Sequence, residues 1–248
     1  IMTRLEKTIH IKTFGCQMNV YDSDQMFNIL KNEGYSRQIS NYHNCDLVIL
    51  NTCHIREKAS EKLYSDLGRI YKEKVKRLLE RKKNMIIVVA GCVGQAEGKY
   101  IFQRAPYVDI IVGPQSYHNL PKLINEVAQK NNKHLIELDF VENQKFDLLP
   151  KNTNNKLSEF VSVQEGCDKF CHFCVVPYTR GSEFSRSQDT ILNECSRLIN
   201  NGTKEIVFLG QNVNAYHGQS DNKPSNLGKL IKDLNNNPDV ERIRYTTS

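Results

Sequence analysis

Short apolar runs alternate with longer amphipathic stretches from residue 8 to residue 139. The runs Ile9–Phe14, Asp46–Asn51, Met85–Ala90, Val108–Val112 and the weaker His134–Leu138 are too short for helices and are rich in β-branched residues, so they predict strands. Between them the apolar period lengthens to that of a helix. Ser23–Asn32 follows the first strand and Asn119–Gln129 the fourth. A long helix from about Arg56 to Arg81 follows the second, with an apolar stripe at Ala59, Leu63, Leu67, Ile70, Tyr71, Val75, Leu78 and Leu79. This alternation predicts an α/β domain with an open parallel sheet over residues 1–139. Residues 140–158, with Pro150 and an Asn/Lys cluster, predict a linker. The alternation then resumes with strand Glu159–Gln164, a cysteine-rich loop, helix Thr190–Asn200, strand Glu205–Leu209, helix Asn226–Leu234 and strand Arg242–Tyr245. Residues 159–248 are thus expected to form the first βα units of a parallel, TIM-type barrel.

Composition narrows the setting. At 248 residues the chain is long enough for two domains. Apolar runs such as Met85–Ala90 are far too short to span a bilayer, and the start MTRLEKTIHIKTF has no signal-peptide core, so a cytoplasmic protein is expected. There the eight cysteines read as reduced thiols and metal ligands, not disulfides. The net charge of +6 is concentrated in one run, Lys72–Lys83, with seven basic and two acidic residues. Lys76, Arg77, Arg81 and Lys82 in that run are candidate contacts to RNA phosphates, and an ordinary solvated helix face is the alternative.

Three cysteines, Cys167, Cys171 and Cys174, form a C-x3-C-x2-C array in VQEGCDKFCHFCVVPYTR. A structural zinc takes four closed ligands, usually as two C-x2-C pairs. Three close thiolates instead suit a 4Fe-4S cluster with one iron open to substrate or cofactor, in a spacing unlike that of electron-carrying ferredoxins. A zinc knuckle completed by His172 and a set of unliganded thiols are the other readings. Cys16, Cys53 and Cys92 lie 37 and 39 residues apart, yet each falls just past the carboxyl end of an apolar strand. Strand carboxyl ends gather at one edge of an open parallel sheet, where such folds place ligands. The three thiols therefore either converge on one site, with Gly15 and Gly91 permitting tight loops, or pack separately as small hydrophobes. Cys45 begins a strand and Cys195 sits in a helical apolar stripe, which marks both as packing residues. His54 reads as a polar surface group.

The C-x3-C-x2-C array with Phe173 before its last cysteine resembles the signature of radical S-adenosylmethionine (SAM) enzymes. The longer string GCDKFCHFCVVPYTRG, with FGCQMN at 14–19 and NTCHIREKA at 51–59, is similar to the methylthiotransferases of that superfamily, above all to those acting on isopentenylated adenosine in tRNA. The resemblance implies SAM and two 4Fe-4S clusters, one held by Cys167, Cys171 and Cys174 and an auxiliary one by Cys16, Cys53 and Cys92. It implies that the first cluster reduces SAM to a radical that takes hydrogen from an aromatic C–H, and that the second holds the sulfur. Phe173 would lie near the adenine of SAM. Gly210, Gln211 and Asn212 are candidate SAM contacts, with a plain polar turn as the alternative, and Arg180 and Arg186 are candidates for SAM or RNA phosphate. A sulfur donor and a reducing electron donor are implied partners. Substrates of the threonylcarbamoyl-adenosine or ribosomal-protein type, and a non-catalytic iron-sulfur electron carrier or sensor, are the competing functions. With barely three barrel strands in the sequence, the rest of the barrel and a C-terminal RNA-binding β domain are expected to be missing, and this piece alone is expected to be inactive.

Overall fold

The computed structural model describes residues 7–54, 57–80, 82–130, 134–140, 146 and 156–246. The chain divides into two compact units, Ile1–Pro150 and Lys151–Ser248. Arg56, Arg81 and most of the expected linker lie outside the described residues.

The first unit is built on a parallel sheet in the order β2-β1-β3-β4-β5-β6. Its strands are β1 (Lys7–Thr13), β2 (Tyr35–Arg37), β3 (Leu47–Asn51), β4 (Ile86–Ala90), β5 (Ile110–Val112) and β6 (Leu135–Glu137). Every residue of β3 and β4 is buried, because helices cover both faces; that is why these strands read as continuous apolar runs and not as alternating ones. On one face Ile9, Leu47, Ile49 and Val88 pack with Met26 and Leu30 of α1 (Gln17–Asn32) and with Leu120 and Ile124 of α5 (Leu120–Lys130). On the other, Val48, Leu50, Ile87 and Val89 pack with Leu63, Leu67 and Ile70 of α2 (Glu57–Leu79). Full burial of each such side chain is worth about 1.5–3 kcal/mol.

Several expectations change here. Helix α1 begins at Gln17, not at Ser23, and β2 and the short helices α3 (Cys92–Glu97) and α4 (Tyr100–Arg104) had no clear pattern. In the α2 stripe, Leu63, Leu67 and Ile70 are fully buried, but Tyr71, Leu78 and Leu79 are exposed by 41%, 52% and 80%. The reason is which residues take the inward face. The inward positions that follow Ile70 are Lys74 and Arg77, which are buried and paired with Asp109 and Asp46, so Tyr71, Leu78 and Leu79 fall beside the packed face.

The second unit holds a parallel sheet in the order β13-β10-β7, formed by β7 (Ser158–Ser162), β10 (Glu205–Leu209) and β13 (Arg242–Tyr245). Helix α7 (Gln188–Asn200) connects β7 to β10, and α8 (Leu227–Asn235) connects β10 to β13. Each starts at a side-chain cap: Thr190 N–H donates to Ser187 Oγ at 3.3 Å, and Lys229 N–H donates to Asn226 Oδ1 at 2.9 Å. Such caps satisfy amides that the first helical turn leaves open. The core joins Val161, Ile206 and Phe208 of the strands to Ile191, Cys195 and Leu198 of α7 and Leu230 and Leu234 of α8. Cys45 is likewise fully buried in the first unit. Among the described residues no helix is long and apolar enough to cross a membrane.

Candidate metal centres

Strands β1, β3 and β4 are adjacent and parallel, so the segments leaving their carboxyl ends run side by side. Phe14 N–H donates to Asn51 O at 2.8 Å, Thr52 N–H to Ala90 O at 3.1 Å and Val93 N–H to Thr52 O at 3.2 Å. These bonds set the Cys16, Cys53 and Cys92 segments against one another. Gly15 and Gly91 are required by this closeness. A Cβ on Gly15 would stand 2.5 Å from Cys53 Cβ, and one on Gly91 would stand 2.3 Å from Asn51 Oδ1 and 2.9 Å from Thr52 O. Cys16, just before α1, is exposed, while Cys53 and Cys92 are buried. The structure thus brings the three cysteine loops to one sheet edge. Among the described residues, no three Cys, His, Asp or Glu side chains are already gathered closely enough to clasp an ion.

Two asparagines hold this edge together, and neither was singled out from the sequence. Asn19 Nδ2 donates to Phe14 O at 2.9 Å, and Cys16 Sγ lies 3.5 Å from Asn19 Oδ1. Asn51 Nδ2 donates to Asn19 O at 2.8 Å and to Ser23 Oγ at 2.9 Å. The available signal was a polar residue closing the apolar run LVILN directly before Thr52-Cys53.

The second cysteine set lies in one loop between β8 (Gln164–Glu165) and α6 (Val176–Arg180), with β8 paired antiparallel to β9 (Phe184–Ser185). Cys167 is buried, Cys174 half-buried and Cys171 exposed, so the array runs from the interior to the surface. Phe173 is 91% exposed. Backbone bonds shape the loop: Cys174 N–H donates to Cys171 O at 2.9 Å and Cys167 N–H to Gly181 O at 3.2 Å. Gly166, at φ +76°, must lack a side chain, since its Cβ would collide with the Ser182 carbonyl oxygen.

The loop after β10 is tied to the base of this array. Gly166 N–H donates to Gln211 Oε1 at 2.7 Å, Asn212 N–H donates to Gln164 Oε1 at 2.9 Å, and Gln164 Nε2 donates to Gly166 O at 3.0 Å. A Cβ on Gly210 would come 2.7 Å from Gln164 Oε1. The predicted trio Gly210, Gln211 and Asn212 therefore does meet the cysteine loop, through Gln164, which the sequence reading passed over as a strand residue. Three soft thiol donors in one partly open loop are a donor set that fits an iron-sulfur cluster.

Arg180 and Arg186 are both buried and paired with carboxylates of their own unit. Arg180 forms a buried ion pair with Glu165 at 2.8 Å, which closes the cysteine loop at its two ends. Arg186 is buried against Ser162 O at 2.6 Å and Glu194 at 2.7 Å. Both guanidiniums lie inside the unit, each paired with a carboxylate, Glu165 buried and Glu194 half-buried. The basic run is also divided. Lys74 pairs with Asp109 at 2.5 Å and Arg77 with Asp46 at 3.2 Å, both inside the unit. Lys72, Lys76, Lys82 and Lys83 are exposed. Burial pushes the Cys45 and Cys195 thiols up, away from the thiolate form a ligand needs. His54 is half-buried and not a free surface group, whereas His172 is exposed.

Each of the two cysteine sets falls within a segment that matches a family model. Residues 8–113 match the uncharacterized protein family UPF0004, and residues 161–248 match the radical SAM superfamily. Proteins of Rickettsia bellii and Rickettsia canadensis, each named tRNA-2-methylthio-N(6)-dimethylallyladenosine synthase, are 57% identical over 246 residues, which is 98% of this chain. In sequence the chain is thus similar to proteins named for tRNA methylthiolation. It spans 55% of the length of those relatives. Among solved structures, the radical SAM methyltransferase TsrM from Kitasatospora setae, bound to tryptophan and a SAM analogue, aligns over 84% of this chain and 48% of its own at TM-score 0.56 and 9% identity. The cobalamin-dependent SAM radical enzyme OxsB aligns over 87% of this chain and 35% of its own at TM-score 0.53 and 14% identity. At those identities the likeness shows the fold alone.

Proposed function

We propose that this chain is the cofactor-bearing part of a tRNA methylthiotransferase that places a 2-methylthio group on N6-dimethylallyladenosine. The observation that carries the reading is the pairing of two three-cysteine sets, one past the carboxyl ends of the parallel strands β1, β3 and β4 and one in the single loop after β8, within a chain 57% identical to proteins named for that reaction. Cys167, Cys171 and Cys174 would hold one 4Fe-4S cluster, and Cys16, Cys53 and Cys92 another. When bound, these clusters and SAM supply the one-electron and sulfur chemistry that no side chain can supply.

The chain's own residues bind, orient and shield. Phe173 offers an exposed flat face to the adenine of SAM. Gln164 and Gln211 fix the backbone around Gly166, which sets where Cys167 stands. The Glu165–Arg180 pair keeps the loop's two ends together with no net charge. Gly210, Gln211 and Asn212 border the same loop and serve as SAM contacts. Lys76 and Lys82, with Lys72 and Lys83, meet tRNA phosphates, and Arg77 serves the fold instead. The protein works in the cytoplasm with a reducing electron donor and a sulfur donor. The test is mass spectrometry of tRNA nucleosides from cells lacking the gene. Loss of the methylthio group with accumulation of dimethylallyl-adenosine is expected, and an unchanged nucleoside profile would overturn the reading.

A further inference from the structure

Asn51 is fully buried at the end of β3, two residues before Cys53. Its carboxamide reaches every one of the three cysteine segments. Through its own backbone it carries Thr52 and Cys53. Through Nδ2 it grips the first turns of α1 at Asn19 O and Ser23 Oγ, and so fixes the helix whose N-cap is Cys16. Its Oδ1 rests against Gly91, where even one added carbon would come within 2.3 Å, and so sets the backbone that leads into Cys92. Among the described residues the oxygen has no hydrogen-bond donor, so it acts there by shape. Ser23 is itself held by Thr13 Oγ at 2.7 Å, which closes the chain of contacts back onto β1.

We infer that Asn51 is a positioning residue of the auxiliary site, a side chain that sets the mutual spacing of the Cys16, Cys53 and Cys92 loops and thereby how firmly a cluster is held there. This rests on the cluster reading above. No shorter side chain spans the gap: alanine or serine at this position loses both Nδ2 bonds and opens space against Gly91. Outer contacts that orient metal ligands commonly change affinity 10–100-fold when removed.

The experiment uses the anaerobically reconstituted full-length protein and compares wild type, Asn51→Ala, Ser23→Ala and Cys53→Ala. Iron release to a chelator and the electron paramagnetic resonance spectrum of the reduced protein are recorded, with the thermal midpoint of each. Asn51→Ala is expected to release iron from one of two clusters about tenfold faster, with an altered spectrum for that cluster alone. Ser23→Ala, which removes only one of the two bonds, is expected to shift both in the same direction but less, and it keeps the test alive if Asn51→Ala does not fold. The core variant Leu67→Ala, equally destabilised, should leave the spectrum unchanged, which separates positioning from general loss of stability. If Cys53→Ala removes one cluster while Asn51→Ala and Ser23→Ala match wild type in release and spectrum, the role of Asn51 is overturned and the cluster reading stands. If Cys53→Ala keeps all its iron, the cluster reading fails and the inference falls with it.

Discussion

Replacing Gly91 by alanine tests the packing of the cysteine edge without touching a cysteine. Gly91 sits at φ 87° and ψ −163°, a region that is essentially glycine-only and costs other residues about 1–3 kcal/mol. The added Cβ would also stand 2.3 Å from Asn51 Oδ1 and 2.9 Å from the Thr52 carbonyl. The carboxamide has little room to move because two hydrogen bonds hold its other end, and the carbonyl belongs to the backbone. Overpacking of this kind adds about 1–3 kcal/mol. The expected loss for Gly91→Ala is thus about 2–6 kcal/mol, a large share of the 5–15 kcal/mol roughly typical of a domain. Gly34 provides the control, since it has φ +86° but nothing within 4 Å of the added carbon, so Gly34→Ala should cost only about 1–2 kcal/mol of backbone strain. In urea unfolding followed by circular dichroism, Gly91→Ala should move the midpoint down by about 1–2 M, clearly more than Gly34→Ala. Adding Asn51→Ala to Gly91→Ala should cost less than Asn51→Ala costs alone, because it removes the nearer clash. Equal shifts for the two glycine variants would refute the argument that the Asn51 and Thr52 contacts fill this corner.

The remaining predictions concern other parts of the molecule. Lys74→Ala leaves Asp109 buried without its cation and should cost about 3–5 kcal/mol, read from the same urea curves. Gly68→Ala, mid-helix in α2 with open space around the new carbon, should stabilise by about 0.5–1 kcal/mol. Lys76→Gln with Lys82→Gln should weaken tRNA binding and flatten its dependence on salt, because each lost phosphate contact releases fewer counterions; an unchanged slope in a binding titration would return these lysines to an ordinary solvated face.

The parts of the fold legible in the sequence were those where burial follows a simple period. β3, β4 and β10 announce themselves because both faces are covered, and α7 because its apolar stripe is clean and Ser187 caps it. The first turns of α1 hid because they bury Asn19, Asp22 and Ser23, polar residues that erase the hydrophobic period while serving the cysteine edge. Gly94 and Gly98 in and after α3 obscured that helix in the same way. Tyr71, Leu78 and Leu79 misled in the other direction, since the inward face of α2 continues through the paired cations Lys74 and Arg77 and not through apolar residues. The cysteines were visible by spacing and by their place after strands. Asn51 and Gln164 were not, because a buried amide reveals its purpose only through partners distant in sequence: Asn19 and Ser23 for one, the Asn212 backbone for the other.

The central claim is that this protein carries two separate cluster sites, one in each unit. It is tested most directly by iron and sulfide analysis, with Mössbauer spectra, of anaerobically reconstituted full-length protein and its cysteine variants. The account predicts two 4Fe-4S clusters in the wild type, loss of one in Cys167→Ala, loss of the other in Cys16→Ala, Cys53→Ala or Cys92→Ala, and no change in Cys45→Ala or Cys195→Ala. Stoichiometric zinc in place of iron, or full iron content retained in Cys53→Ala, would contradict it.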